Sequence, residues 1–91
     1  MAETREDREI AGAFDYARIS KVAKLLPMIC LYDHPTDYPD KYVARVWDGN
    51  NPTRLIALAD TPEEIRATIP SNMTRLPRTE KDDPCIMEVW I

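Results

Sequence analysis

Residues 41–59, KYVARVWDGNNPTRLIALA, contain the pattern that decides the fold. Residues 41–48 and residues 54–59 are rich in β-branched, aromatic and aliphatic side chains, which is typical of β-strands. The segment DGNNPT joins the two runs and is a dense turn signal, which favours a hairpin loop of about four to six residues. We therefore predict a β-hairpin over this stretch.

Further elements are predicted on both sides of the hairpin. MICLY (residues 28–32) precedes it as an apolar strand, and CIMEVWI (residues 85–91) alternates like a strand at the end of the chain. Between the hairpin and the last strand lies the clearest helix start. Thr61 is the predicted N-cap, Pro62 fills the first helical position, and Glu64 closes a capping box.

The segment before the first strand predicts a long helix. EDREIAGAFDYARISKVAKLL has helical spacing from Glu6 to Leu26, with acidic residues at its start and basic residues at its end, as the helix dipole favours. Pro27 ends this helix. We expect residues 1–27 to form an N-terminal helical segment, either packed on the sheet or attached as an appendage. A compact β-β-β-α-β domain is expected over residues 28–91.

The composition suits a small folded domain. The chain has 91 residues, of which 44% are hydrophobic and 31% are charged, and such a mixture is typical of soluble globular chains. With the element order α-β-β-β-α-β, the predicted fold class is α+β. We expect a mainly antiparallel four-stranded sheet packed by two helices.

Charge and hydropathy exclude several classes of function. The net charge of −4 argues against direct nucleic-acid binding, because phosphate attraction needs a basic surplus. No apolar run reaches the ~18–20 residues needed to span a bilayer, and the charge-dense N-terminus lacks the apolar core of a signal peptide. We therefore expect a cytoplasmic protein without a membrane segment.

Cysteine, histidine and glycine are scarce. Cys30 and Cys85 are too few for a disulfide framework and are interpreted as buried thiols in a reducing compartment. Together with His34 they do not have the spacing of a structural zinc site. Two glycines cannot build a phosphate-binding loop, and no hydrolase or metalloprotease motif occurs. The leading interpretation is accordingly a protein that is not an enzyme and needs no cofactor.

The loop YDHPTDYPD, residues 32–40, has the densest cluster of reactive side chains. Asp33, His34, Asp37 and Asp40 offer one imidazole and three carboxylates, which suit a divalent metal or an Asp–His general base. A small enzyme or metal-binding protein that uses these four residues is the alternative function. The simpler interpretation is a proline-stiffened loop whose acids bond to backbone amides.

Alternation divides each strand into two faces. We assign the wholly apolar faces to the core, namely Tyr42, Ala44 and Val46 in one strand and Cys85, Met87, Val89 and Ile91 in the last. The opposite faces combine a tryptophan with a charge, Arg45 with Trp47 and Glu88 with Trp90. If the two strands are neighbours, Arg45 and Glu88 pair between two indoles. The N-terminal helix covers these indoles in one interpretation, and a protein partner does so in the other.

Three segments carry a resemblance. CLYDHPTDYPDKYVARVWD, ADTPEEIRATIP and DDPCIMEVWI resemble a group of short uncharacterised proteins from Firmicutes and their phages or mobile elements. The resemblance covers about residues 28–91. It implies no catalytic residue, because the group has no established activity. It implies a protein that acts by binding and blocking a host protein, including defence nucleases.

The leading prediction is a small non-catalytic protein-interaction module. Its expected contact residues are Arg45, Trp47, Glu88 and Trp90, with Asp37 and Tyr38 at the rim. In the inhibitor form, its acids substitute for nucleic-acid phosphates in a basic groove of the host protein. A structural subunit is a further alternative, in which an edge strand pairs with a second copy in a homodimer.

Overall fold

The computed structural model describes residues 7–10, 12–76 and 85–91. Within those residues the chain forms one six-stranded sheet and two helices. In chain order the elements are β1 (Arg8–Glu9), α1 (Tyr16–Val22), β2 (Pro27–Asp33), β3 (Tyr42–Asp48), β4 (Asn51–Ala59), α2 (Pro62–Arg66), β5 (Arg75–Leu76) and β6 (Ile86–Trp90). Neither described helix is long and apolar enough to cross a membrane.

The sheet has the strand order β1-β4-β3-β2-β6-β5. Its four longer strands pair in antiparallel fashion, as do β5 and β6, whereas β1 runs parallel to β4. The predicted α+β class is therefore confirmed, but the sheet is mixed and six-stranded instead of four-stranded. The two added edge strands have two residues each, which is too short for alternation to reveal them.

The predicted hairpin is confirmed as β3 and β4, with a tighter turn than expected. Asp48 pairs with Asn51, so the turn has only Gly49 and one further residue at its tip. Gly49 has φ +59°, in the left-handed region that glycine adopts without steric cost. A two-residue hairpin turn often needs positive φ at its first position.

The predicted helix from Glu6 to Leu26 is wrong for the residues that the structure describes. The helix there is only α1, capped by Asp15, whose Oδ1 accepts the Ala17 N–H at 3.1 Å. The chain before it pairs with β4 as β1, and the N–H of Ile10 donates to the carbonyl of Ile56 at 2.9 Å. Tertiary pairing and burial thus outweigh the local helix propensity.

The segment before β2 shares one core with the sheet. Ile10, Phe14, Ile19 and Ala23 are buried in the same cluster as side chains of β2, β3, β4 and α2. The strand and helix members of that cluster are Ile29, Leu31, Ala44, Val46, Leu55, Ala57 and Ile65. Both helices therefore pack on the same face of the sheet, which we call the helix face.

Helix α2 begins as the sequence predicts. The hydroxyl of Thr61 accepts the N–H of Glu64 at 3.1 Å and donates to Oε1 of Glu64 at 3.0 Å. Pro62 is the first residue of the helix. The predicted helix start is therefore confirmed. The sequence could predict it because each of these signals is local.

The other face of the sheet, which we call the loop face, contains Cys30, Val43, Arg45 and Ile56. All four are buried, although neither described helix packs there. The loop between β2 and β3 lies against this face, where its buried Pro35 helps to line a cavity. Cys30 is buried as predicted, whereas Cys85 is half-buried, and the two are not joined by a disulfide.

The predicted inward face of the last strand is confirmed only for Met87, which packs against the core cluster. β6 pairs with β2, and the register places Glu88 opposite Leu31 and Trp90 opposite Ile29. Opposed residues of antiparallel strands share a face, so Glu88 and Trp90 lie on the helix face. Of the expected apolar set Cys85, Met87, Val89 and Ile91, only part points inward: Met87 packs against the core cluster as predicted, whereas Val89 pairs with Cys30 of the loop face.

Candidate functional site

A buried ion cluster around Arg45 organises the loop face. The Arg45 side chain is 6% exposed. Its Nη1 and Nη2 donate to Oδ1 and Oδ2 of Asp7 at 2.9 and 3.1 Å, a bidentate geometry that is strong and directional. Nη1 also donates to the carbonyl of Thr53 at 2.8 Å, and Nη2 donates to Oδ2 of Asp37 at 3.3 Å. One guanidinium group therefore joins three separate segments to β3.

The surroundings of Arg45 keep it charged. Burial alone would lower its pKa, but the hydrogen bonds and the charge of Asp7, together with the charge of Asp37, outweigh this effect. The net result is a pKa above the ordinary value. Arg45 is accordingly a fixed cation that holds carboxylates in place.

Tyr38 extends the cluster. Its hydroxyl donates to Oδ2 of Asp7 at 2.8 Å. Burial, followed by the hydrogen bond and the charge of Asp7, raises the pKa of Tyr38 to about 12. The phenol stays protonated and remains a donor. Its hydrogen bond holds the loop between β2 and β3 close to the chain that enters β1.

A small cavity of about 170 Å³ opens beside this cluster. The residues that line it include Tyr32, Trp47, Arg45 and Asp37. The indole N–H of Trp47 donates to the hydroxyl of Tyr32 at 3.1 Å, which links the two rings. Ordinary small-molecule pockets span roughly 300–1,000 Å³, so this cavity suits a single inserted side chain better than a cofactor.

The residues predicted for partner binding divide into two groups. Arg45, Trp47, Asp37 and Tyr38 come together on the loop face. Glu88 and Trp90 lie on the helix face, and β2 separates β6 from β3 in the sheet. The expected Arg45–Glu88 pair between two indoles therefore does not form. Whether these residues bind a partner stays a prediction.

Glu88 has a different set of neighbours. Its side chain is 8% exposed. Oε2 accepts the Nε–H of Arg66 at 2.8 Å, and Oε1 accepts the indole N–H of Trp90 at 3.1 Å. Arg75 lies near the same carboxylate, at 3.7 Å. A glutamate on a largely apolar face is thus satisfied by α2, by β5 and by its own strand.

The four reactive residues of the 33–40 loop do not converge. Asp33 is hydrogen-bonded to Nδ1 of His34, which has φ +49° and packs edge-on against Tyr42. Asp37 is turned towards Arg45 instead. In the part of the chain that the structure describes, no three His, Cys, Asp or Glu side chains form a group that could hold a metal. A catalytic or metal role of Asp33, His34, Asp37 and Asp40 stays a prediction.

Sequence reasoning missed Leu25 and Leu26, which join α1 to β2. Their exposed fractions are 89% and 52%. Oδ1 of Asp48 accepts both of their backbone N–H groups, at 3.1 and 2.8 Å, and the carbonyl of Leu26 accepts the N–H of Gly49 at 2.8 Å. We call these two leucines, held by the β3–β4 turn, the leucine corner. The only sequence signal is a pair of leucines before a proline.

Comparison with protein-family models, with curated protein sequences and with solved structures gave no match. A relationship to the short proteins of Firmicutes and their mobile elements, which the resemblance implies, therefore stays a prediction.

Proposed function

We propose that the protein is a non-enzymatic interaction module that binds a partner protein through the leucine corner. The observation that carries this proposal is that Leu25 and Leu26 point into solvent while their backbone is held by Asp48. Burying a leucine contributes about 1.5–3 kcal/mol. Because the backbone is already ordered, little further conformational entropy is lost on binding.

The shape and charge of the leucine corner define the partner. Two protruding aliphatic side chains fit a concave apolar pocket. Lys21 and Lys24 precede them and are exposed, so an acidic rim around that pocket is complementary. The proposed occupant is thus a partner protein with an apolar pocket and an acidic rim.

The loop face adjoins the same end of the sheet. Trp47 directly precedes Asp48, and Met28, which follows Pro27, pairs with Trp47 across β2 and β3. We include Trp47 and the cavity beside it in the docking surface, with Asp37 at its rim. Arg45 and Tyr38 hold this surface in place. Glu88 and Trp90 are assigned to the attachment of α2 and β5.

The test compares wild-type protein with the double substitution Leu25→Ser, Leu26→Ser. Ile91→Ser is the matched control, because Ile91 is also an exposed aliphatic residue, 45% accessible, outside the corner. Each protein is immobilised, retained proteins are identified by mass spectrometry, and affinities for the purified partner are measured by calorimetry. We expect the double substitution to weaken binding at least about 100-fold, as the loss of two buried leucines requires.

Two outcomes would overturn the proposal. One is a partner that binds the double variant as tightly as the wild type. The other is a wild-type dimer at micromolar concentration in sedimentation that dissociates in the double variant, since the corner would then join two copies of this chain. All three proteins should unfold at similar urea concentrations, because the substituted side chains are exposed.

The narrower form of the proposal makes the partner a host defence protein. It is supported by the resemblance to mobile-element proteins. Its test is whether the purified protein lowers the activity of a host defence nuclease, with the double variant as the control. An unchanged nuclease activity would remove the inhibitor form and leave the docking proposal intact.

A further inference from the structure

A second cavity, of about 290 Å³, lies where β1, α1 and β4 meet. Its lining includes Arg8 of β1, Arg18 of α1 and Arg54 of β4. Val22 and the buried Leu55 form its apolar wall. It shares no lining residue with the cavity on the loop face, so it goes beyond the docking surface proposed above.

The arginines of the described chain divide sharply between paired and unpaired groups. Arg45, Arg66 and Arg75 each lie within ion-pair distance of an Asp or Glu. The remaining three, at positions 8, 18 and 54, have no ion pair or hydrogen bond to a side chain among the described residues. All three line the same cavity.

Arg8, Arg18 and Arg54 are all exposed, and each brings a positive charge to the same cavity. No described acidic side chain forms an ion pair with them, so like charges line one cavity and repel each other through solvent. A bound anion would relieve this repulsion. Guanidinium forks match the oxygen geometry of phosphate better than an ammonium group does.

The size of the cavity and the charge of the chain select the ligand class. A volume of about 290 Å³ is near the lower end of small-molecule pockets, roughly 300–1,000 Å³. A long nucleic acid would meet the net negative charge of the remaining surface, whereas a small anion meets only the cavity. We propose that this cavity binds a phosphate-bearing small molecule, with its phosphate on the arginines and its apolar group against Val22 and Leu55.

The test is calorimetry with phenyl phosphate and with inorganic phosphate. We expect phenyl phosphate to bind more tightly, because its ring contacts the apolar wall. Arg18→Gln and Arg54→Gln should each weaken binding at least about tenfold. The matched control Arg75→Gln, an exposed arginine outside the cavity, should stay within about twofold of the wild type. Val22→Ser should weaken phenyl phosphate but leave inorganic phosphate unchanged.

A second measurement is thermal unfolding with and without phenyl phosphate. Phenyl phosphate should raise the Tm of the wild type, and it should raise the Tm of Arg18→Gln and Arg54→Gln by less. The proposal is overturned if wild type binds neither compound at millimolar concentration. Equal weakening by Arg75→Gln would overturn it too. So would a short single-stranded oligonucleotide that binds more tightly than phenyl phosphate and depends on Arg18 and Arg54.

Discussion

Arg45 and Asp7, which are 38 residues apart in sequence, are joined by two parallel N–H···O hydrogen bonds. Both side chains are less than one-tenth exposed. The pair attaches the chain that enters β1 to the centre of the loop face. A buried pair of this kind is tolerated only while both partners are present, because either charge alone would be left desolvated.

Removing the Asp7 carboxylate should therefore lower the free energy of unfolding much more than removing the Asp37 carboxylate does. We expect Asp7→Ala to lower the free energy of unfolding by about 3–5 kcal/mol, measured by urea denaturation. Asp37→Ala is the matched control. Asp37 is 57% exposed and meets the same guanidinium group at 3.3 Å, so its loss should cost less than about 1 kcal/mol. Equal losses would contradict the central place given to Asp7.

The Tyr38 phenol should make stability fall at high pH. Its pKa rises from 10.0 to about 12 on folding, so between these values the folded protein keeps a proton that the unfolded chain loses. The stability linked to this proton is complete below about pH 10 and is lost as the pH rises through about 12. In Tyr38→Phe the free energy of unfolding should fall less steeply over this window.

Absorbance at the tyrosinate band separates this effect from other titrations. The highest titration step of the folded protein should vanish in Tyr38→Phe and remain in the control Tyr16→Phe. If Tyr38→Phe leaves that step in place, the step does not belong to Tyr38, and the raised pKa of this phenol is contradicted.

The confirmed parts of the fold are those whose signals are local. The start of α2 needs only Thr61, Pro62 and Glu64, and the hairpin needs two apolar runs with Gly49 between them. The helix predicted from residue 6 failed because β1 is formed by pairing with β4, about 47 residues later (Arg8 with Leu55). The helical spacing of apolar residues in that segment carries no information about pairing with a strand so distant in sequence.

The candidate site shows the same difference between features with local sequence signals and features that depend on distant pairing. Alternation correctly places Arg45 and Trp47 on one face of β3, but it does not say which face of β6 points inward. That depends on the pairing of β6 with β2, which buries Glu88 and supplies Arg66 from α2 as its partner. The conformation of the leucine corner depends on hydrogen bonds to Asp48 at the β3–β4 turn. The alternation of side chains along a strand does not predict these bonds either.

Glu88 offers a test of this correction. We expect Glu88→Ala to lower the free energy of unfolding by about 1–3 kcal/mol, because the indole N–H of Trp90 and the Nε–H of Arg66 lose their acceptor. Tryptophan emission should shift as well. The control Glu63→Ala removes an exposed acid in the first turn of α2 and should cost less than about 1 kcal/mol. A Glu88 variant no less stable than this control would indicate that Glu88 faces solvent.

Asp48 tests whether the leucine corner is ordered in advance of binding. In Asp48→Ala the N–H groups of Leu25 and Leu26 lose their common acceptor, so their amide hydrogen exchange should become faster. The free energy of unfolding should fall by about 1 kcal/mol. The control Asp60→Ala removes an exposed carboxylate that pairs with Lys41 and should change neither quantity by a comparable amount.

The same variant bears on docking in a way that the leucine substitutions do not. Asp48→Ala keeps both leucine side chains, so it should weaken partner binding only by the entropy of ordering the corner again, about tenfold. The double leucine substitution should weaken binding about 100-fold or more. If Asp48→Ala speeds exchange at both amides yet leaves partner affinity unchanged, then the partner does not use the corner in the conformation seen here, because a flexible corner would bind as well as an ordered one.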